Sequence, residues 1–206
     1  MKEQKEPRRR GRPRGFDERE VVDKAQALFW KEGASGVSLD ELSAATGLHK
    51  PSLYGAFGGR SGLYVAALDA YIDRGAPDVA GALAAKPFAD ALRAFYTADL
   101  DVFCASPHAP GCFLIGTAIE AAAENDEVRQ RVDTVFDSLR KTLRKRVEAA
   151  VSDNDLPPDA DVEALTEIIF ATHIALAVAA RSGCSRGELR KRVESVVRVI
   201  AALGPS

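Results

Sequence analysis

Apolar and polar residues in the first third of the chain follow a helical pattern that glycines divide into short segments. The first apolar stripe, at the spacing of one helix face, consists of Val21, Ala25, Leu28 and Phe29. Asp17 precedes this stripe and Glu20 follows three residues later, which is the pattern of an N-terminal capping box. Because glycine is a poor helix former, Gly33 predicts the end of this first helix.

A second, shorter helix is predicted by the same start signal, with Ser38 as the N-cap and Glu41 completing the box. Gly47 follows soon afterwards, and glycine tolerates the left-handed conformation that turns a chain sharply at a helix end. A third helix is expected to start near His49, because the proline at position 51 is tolerated only in a first turn.

The third predicted helix has an inner and an outer face. Leu53 and Phe57 are four residues apart and point inward, and the outward positions are Lys50, Ser52, Tyr54 and Gly55. Two short helices joined by a Gly turn are typical of a helix-turn-helix, whose second helix enters the major groove of DNA. A plain helical hairpin is the alternative, but an exposed Tyr54 beside Lys50 has no role in a hairpin core.

The rest of the chain also predicts helices, and no segment alternates well enough to predict a strand. The longest apolar stripe runs from Val128 to Val147 within residues 126–151. We therefore expect an all-α fold of about nine helices. It would comprise a flexible basic arm (residues 1–15), a three-helix helix-turn-helix head (16–62) and a helical body (63–206). The penultimate helix is apolar almost all round, which predicts that a second subunit covers part of it.

Charge is distributed unevenly along the chain. The net charge is only −2, but the arm carries 7 Lys and Arg against 2 Asp and Glu. A basic arm predicts contact with a polyanion, and a solvated tail is the plain alternative. Within the arm, Arg10-Gly11-Arg12-Pro13 matches the core of an AT-hook, which places arginine in a narrow minor groove of DNA.

Composition favours a cytoplasmic protein. No uninterrupted run of about 18 apolar residues predicts a membrane span, and the basic N-terminus lacks the apolar run of a signal peptide. Three cysteines without CxxC spacing are typical of a reducing compartment rather than of a disulfide framework. Since GxSxG, HExxH and P-loop motifs are all missing, we expect neither an enzyme nor a bound cofactor or metal.

The segment from Gly11 to Tyr71 resembles the N-terminal domain of the TetR/AcrR family of bacterial transcriptional regulators, most closely in "GRPRGFD" and "SLYGAFGGR". The resemblance implies that Ser38, Tyr54 and Arg60 contact DNA phosphates, where Arg60 stands in place of the lysine usual in the family. It also implies that the residues lying along the groove are His49, Lys50, Ser52 and Gly55, with Lys50 or Ser52 reading bases.

The same resemblance implies a repressor that dimerises through its last two helices and binds a pseudo-palindromic operator. A small-molecule effector would bind in the body and release the DNA. The candidate effector-binding residues, each with ordinary core packing as its alternative, are Phe95, Tyr96, Phe103, Phe113, Phe136, Phe170 and His173.

Cys112 suggests an alternative mode of sensing. It follows Pro110-Gly111 into a helix, where the positive end of the helix dipole would lower the pKa of its thiol and favour reaction with oxidants or electrophiles. The segment "PGCFLIGTAIE" also resembles one subgroup of the family, some of whose members sense electrophiles through this cysteine. A soft-metal site is a further option, because Cys104, His108 and Cys112 are spaced C-x3-H-x3-C.

Overall fold

The computed structural model describes residues 15–106 and 110–204, without the side chains of residues 75–78, and all regular secondary structure in these residues is helical. The head contains α1 (Glu18–Glu32), α2 (Leu39–Thr46) and α3 (Lys50–Phe57). The other α-helices are α4 (Arg60–Leu83), α5 (Phe88–Phe103), α6 (Ile119–Glu124), α7 (Asp126–Ser152), α8 (Val162–Arg181) and α9 (Arg186–Ala201). A π-helical segment, Leu114–Ala118, leads into α6. The described residues thus confirm the all-α prediction of about nine helices.

The capping signals set the helix starts in the head, with one correction. Ser38 and Glu41 form the predicted capping box at α2. Asp17 caps α1 as predicted, but it accepts only from the Arg19 N–H, at 2.9 Å. The predicted partner, Glu20, instead pairs with Lys24 one turn further along α1, at 2.8 Å. The box at α1 was therefore a wrong prediction, because an i,i+4 ion pair competes for the same carboxylate.

Helix α4 joins the head to the body without a break. It begins at Arg60, within the predicted head, and ends at Leu83, within the predicted body. Along it, Arg74 pairs with Asp23 of α1 at 2.8 Å, and Asp69 accepts two hydrogen bonds from Arg131 of α7, at 2.5 and 3.0 Å. One helix therefore makes ion pairs with both the head and the body.

The π segment is the junction of the fold, since it contacts α1, α4, α7 and α8. Phe113, just before it, is fully buried at the centre of a group of rings that we call the ring cluster: Trp30, Tyr64, Tyr71 and Phe113. The Tyr64 hydroxyl also lies 2.9 Å from the Thr117 hydroxyl inside the π segment. The buried apolar residues of head and body consequently form one continuous core.

Helices α8 and α9 and the turn after α9 leave apolar side chains uncovered. The most exposed of these are Ile168, Val178, Val199 and Leu203, each between 47% and 67% exposed. The prediction that α8 is apolar almost all round agrees with this uncovered face, because a helix needs a second surface to bury such a side. The face formed by Ile168, Val199 and Leu203 is called the α8–α9 face below.

Among the described helices, α8 is also long and apolar enough to cross a membrane, judged by length and composition, with a mean hydropathy of 1.6. The expectation that no segment spans a membrane therefore stays a prediction. Glu163 and Glu167 interrupt the apolar run in the sequence, but the mean over 18 residues remains high. Core helices of soluble proteins pass the same test.

Candidate nucleic-acid interface and effector region

Helix α3 presents the outer face that its sequence predicts. Leu53 is fully buried and Phe57 is partly buried against the core, while His49, Lys50, Ser52 and Tyr54 are exposed. A Cβ placed at Gly55 would meet no atom within 4 Å, so this position is open to an approaching surface. The exposed residues form a polar face of the size of one short helix, which suits insertion into a DNA groove.

Two contacts organise this face. Lys50 forms an ion pair with Asp40 of α2 at 2.7 Å, which holds its ammonium group beside α2. The Tyr54 ring is 61% exposed and lies against Gly59, where a Cβ would be 2.7 Å from ring atom Cε1. Gly59 has φ 87°, so glycine is required there both for the backbone and for the position of the Tyr54 ring.

Two residues expected to contact phosphates are engaged within the head. The Ser38 hydroxyl lies 2.6 Å from a Glu41 carboxylate oxygen. Hydrogen bonds from Ser38 lower the pKa of the Glu41 carboxyl. Arg60 donates from Nη1 to the Ala34 carbonyl at 2.5 Å, which holds the loop after α1. Arg60 keeps further N–H donors for a phosphate, whereas the hydroxyl and the backbone N–H of Ser38 both donate to Glu41. The phosphate roles stay predictions. Arg10 and Arg12 lie outside the described residues.

The candidate effector residues fall into two separate groups. We call the first the His173 cluster: the rings of Phe95, Phe103 and Phe170 have centroids 5.9, 5.6 and 6.5 Å from that of His173. Phe136 packs against Phe170 at 5.4 Å.

Tyr96 extends the same region, since its ring centroid is 5.1 Å from that of Phe95. Its buried hydroxyl donates to the Ile169 carbonyl at 3.1 Å, so it already has a partner. Phe113 and Cys112 belong instead to the neighbourhood of the ring cluster, at the junction with the head.

A buried carboxylate in the His173 cluster escaped the sequence analysis. Asp99 is only 8% exposed, and its Oδ2 lies 2.8 Å from His173 Nδ1. Burial raises the pKa of the Asp99 carboxyl, and the neighbouring His173 opposes that rise. Asp99 lies four residues from both Phe95 and Phe103, so an acid within an aromatic stripe was the available signal. The pair supplies a polar anchor inside an apolar region.

The expected activation of Cys112 was a wrong prediction. Its thiol is buried and accepts a hydrogen bond from the Tyr71 hydroxyl at 3.2 Å. Burial raises the pKa of the Cys112 thiol, and this outweighs the lowering by Tyr71 and by the N–H groups of Ile115 and Leu114. Burial also raises the pKa of Tyr71, which keeps its proton for this bond. A thiolate at this position would lose its hydration without gaining a cation, so desolvation dominates.

A metal site at Cys104, His108 and Cys112 gains no support from the structure. His108 lies outside the described residues. Within residues 15–106 and 110–204, no group of three His, Cys, Asp or Glu side chains could hold a metal ion.

Comparisons with known proteins give a consistent result. Residues 21–67 match the family described as bacterial regulatory proteins, tetR family, and residues 89–183 match the tetracyclin repressor-like C-terminal domain. The chain is 30% identical over 192 residues to the HTH-type transcriptional repressor ComR of Escherichia coli (strain K12), covering 92% of this chain and 91% of that protein. It is 38% identical over 72 residues to the repressor BdcR of the same strain, covering 35% and 36%.

The fold is also similar to a solved structure of the TetR family transcriptional regulator CifR. That structure is a cysteine mutant complexed with 26-bp double-strand operator DNA. The TM-score is 0.81 at 28% identity, with 91% of this chain and 98% of that chain covered.

The burial of Cys112 makes a testable prediction about thiol reactivity. In the native protein at neutral pH, a thiol-specific reagent should label the partly exposed Cys104 and Cys184 well before Cys112, because Cys112 is buried and its thiol pKa is raised. Mass spectrometry of the labelled peptides measures the order. Labelling in denaturant is the control, and there the three rates should converge. Fastest labelling at Cys112 in the native protein would contradict the burial argument.

Proposed function

Because the chain belongs to the TetR family of DNA-binding transcriptional regulators, we propose that it is a cytoplasmic repressor that binds a pseudo-palindromic operator as a homodimer. A small-molecule effector bound in the body would release it from the DNA. The outward face of α3 is the observation that carries the proposal, since Lys50, Ser52 and Tyr54 are exposed on a short helix anchored by Leu53. The DNA-bound structure of the similar regulator CifR supports the same assignment.

The proposed division of labour follows the geometry of the head. Lys50 and Ser52 lie in the first turn of α3, which in a helix-turn-helix is nearest to base edges. Tyr54, Ser38 and Arg60 would bind phosphates, and Arg10 and Arg12 of the arm would reach the minor groove. Phosphate contacts add affinity for any sequence, whereas base contacts add preference.

The proposed homodimer uses the α8–α9 face. Its apolar side chains are uncovered in one subunit, and a C2 interface covers the same patch on both partners. Such a dimer would place two heads on two half-sites, with a separation fixed by the bodies.

The proposed effector site is the His173 cluster. Three aromatic rings surround a buried Asp99–His173 pair, which is the combination of apolar surface and few polar anchors that small-molecule sites use. A ligand there would displace α5 and α8 relative to each other, since Asp99 and His173 lie on those helices. Sensing through Cys112 is the second candidate, and it has less support because the thiol is buried and protonated.

Operator recognition can be tested by selecting bound sequences from genomic DNA. We expect an enriched pseudo-palindrome, and a screen for small molecules that release it then tests the effector half of the proposal. Lys50→Ala or Ser52→Ala should relax the preference at particular base pairs by about 1–3 kcal/mol per lost base contact. Arg60→Ala should weaken all sequences alike and reduce the salt slope by about one. Selection without any enriched motif would refute the regulator proposal for this chain.

The dimer can be tested with a matched pair of substitutions. Ile168 of the α8–α9 face and Ile119 of α6 are exposed to similar extents, 49% and 53%. Ile168→Glu should yield monomers in sedimentation experiments, because it places two charges in an apolar interface, whereas Ile119→Glu should leave the dimer intact. If Ile168→Glu sediments as the parent does, the interface lies elsewhere. A monomeric parent protein would refute the dimer itself.

A further inference from the structure

We infer that Arg181 is a positioning residue that fixes the head against the body in the arrangement required to bind both halves of an operator. The inference rests on the proposed function, since it assigns a role in operator binding. It concerns a contact between α8 and the end of α1, outside both α3 and the His173 cluster.

The contact joins distant parts of the chain. Arg181 is the last residue of α8, and its Nη1 donates to the Trp30 carbonyl in the last turn of α1, at 2.5 Å across 151 positions of sequence. The last carbonyls of a helix lack partners within the helix and carry the negative end of its dipole. A guanidinium is therefore a suitable donor here, and a hydrogen bond from a charged group is stronger than one from a neutral group.

Two glycines allow α8 to reach the head. The Arg181 side chain lies across Gly116 of the π segment, where a Cβ would be 3.3 Å from both Cδ and Nε of Arg181. At Gly111, which has φ 81°, a Cβ would be 2.7 Å from the Ala177 carbonyl oxygen. Larger residues at these positions would push α8 and the Arg181 side chain away from the junction. Glycine at both positions therefore permits the close approach of α8 to the π segment and the residues before it.

Two separate contacts hold the end of α1, one from the start of α4 and one from the body. Arg60, at the start of α4, holds the Ala34 carbonyl just after α1. Arg181 holds Trp30 from the far end of the body. Losing Arg181 should therefore leave the head folded and still joined to the body by the ring cluster, but less firmly fixed in its orientation.

The location of Arg181 on α8 connects the contact to the proposed effector site. His173 lies eight residues earlier on the same helix, which corresponds to about 12 Å of helix rise. Because a helix moves as a rigid unit over this distance, a displacement of α8 at His173 would also displace Arg181. Occupancy of the His173 cluster would then change the head position through the Trp30 carbonyl.

The test uses the operator sequence recovered by selection, as a full palindrome and as a duplex with one half-site. Arg181→Gln should weaken full-site binding about tenfold, the loss expected for one hydrogen bond from a charged group. Binding to the half-site should change by less than about twofold, because one head needs no fixed spacing. Arg186→Gln is the matched control: Arg186 pairs with the exposed Asp101 at 2.5 Å, away from the head, and both duplexes should bind as in the parent.

A second variant removes the contact without removing the charge. Gly116→Val places a branched side chain on the path of Arg181 and should reproduce the selective loss of full-site binding. If Arg181→Gln and Gly116→Val both bind the full site as the parent does, the positioning role is overturned. It is equally overturned if half-site affinity falls as much as full-site affinity, because that result indicates a damaged head.

Trp30 offers a readout that needs no DNA, since it is the only tryptophan in the chain. Arg181→Gln should increase the quenching of its fluorescence by acrylamide, whereas Arg186→Gln should not. Unchanged quenching in Arg181→Gln would overturn the contact itself. If the parent protein binds no operator, the proposed function fails, and the quenching experiment still decides whether Arg181 holds the head to the body.

Discussion

The burial of the Phe113 ring between the head and the body is the interaction on which the arrangement of this molecule depends. Trp30 comes from α1, and Tyr64 and Tyr71 come from α4, with ring centroids between 5.4 and 6.0 Å from Phe113. Edge and tilted contacts of this kind fix ring orientation as well as distance. The core of the DNA-binding head is therefore continuous with that of the body, and the position of the head follows from how the π segment is packed. A π-helical turn is itself a rare element that is often found at functional sites.

Two pairs of buried polar groups near this junction join different parts of the chain, whereas the buried indole N–H of Trp30 has no hydrogen-bond partner there. Asp99 of α5 is paired with His173 of α8, and Tyr71 of α4 is bonded to the thiol of Cys112. An unpaired polar group in such surroundings would be strongly destabilising, so these pairs hold the helices in one relative position. A ligand that competes for Asp99 or His173 would break the hydrogen bond between these residues, which holds α5 against α8. In the proposed function, this is how a bound effector would change the orientation of a head.

Local signals in the sequence predicted the local structure. The Ser38–Glu41 box, the glycine at position 47 and the proline at position 51 predicted α2, the turn and α3, because these signals act within a few residues. They also predicted the outward face of α3, since Leu53 has to be buried.

The sequence did not reveal contacts that depend on packing between distant segments. Arg181 and Trp30 are 151 positions apart, and nothing near either residue indicates the other. Cys112 precedes a helical segment as its sequence indicates, but burial by distant segments raises the pKa of its thiol. Asp99 could have been noticed as an acid within an aromatic stripe, although its pairing with His173 could not.

Scanning calorimetry tests most directly whether the ring cluster joins head and body into one cooperative unit. The parent protein should unfold in a single transition, because the two parts share one core. Phe113→Ala should lower the stability by about 3–5 kcal/mol and separate the head from the body as a second, earlier transition. Two transitions in the parent protein, or a Phe113→Ala variant that unfolds in one transition at the parent's temperature, would contradict this account.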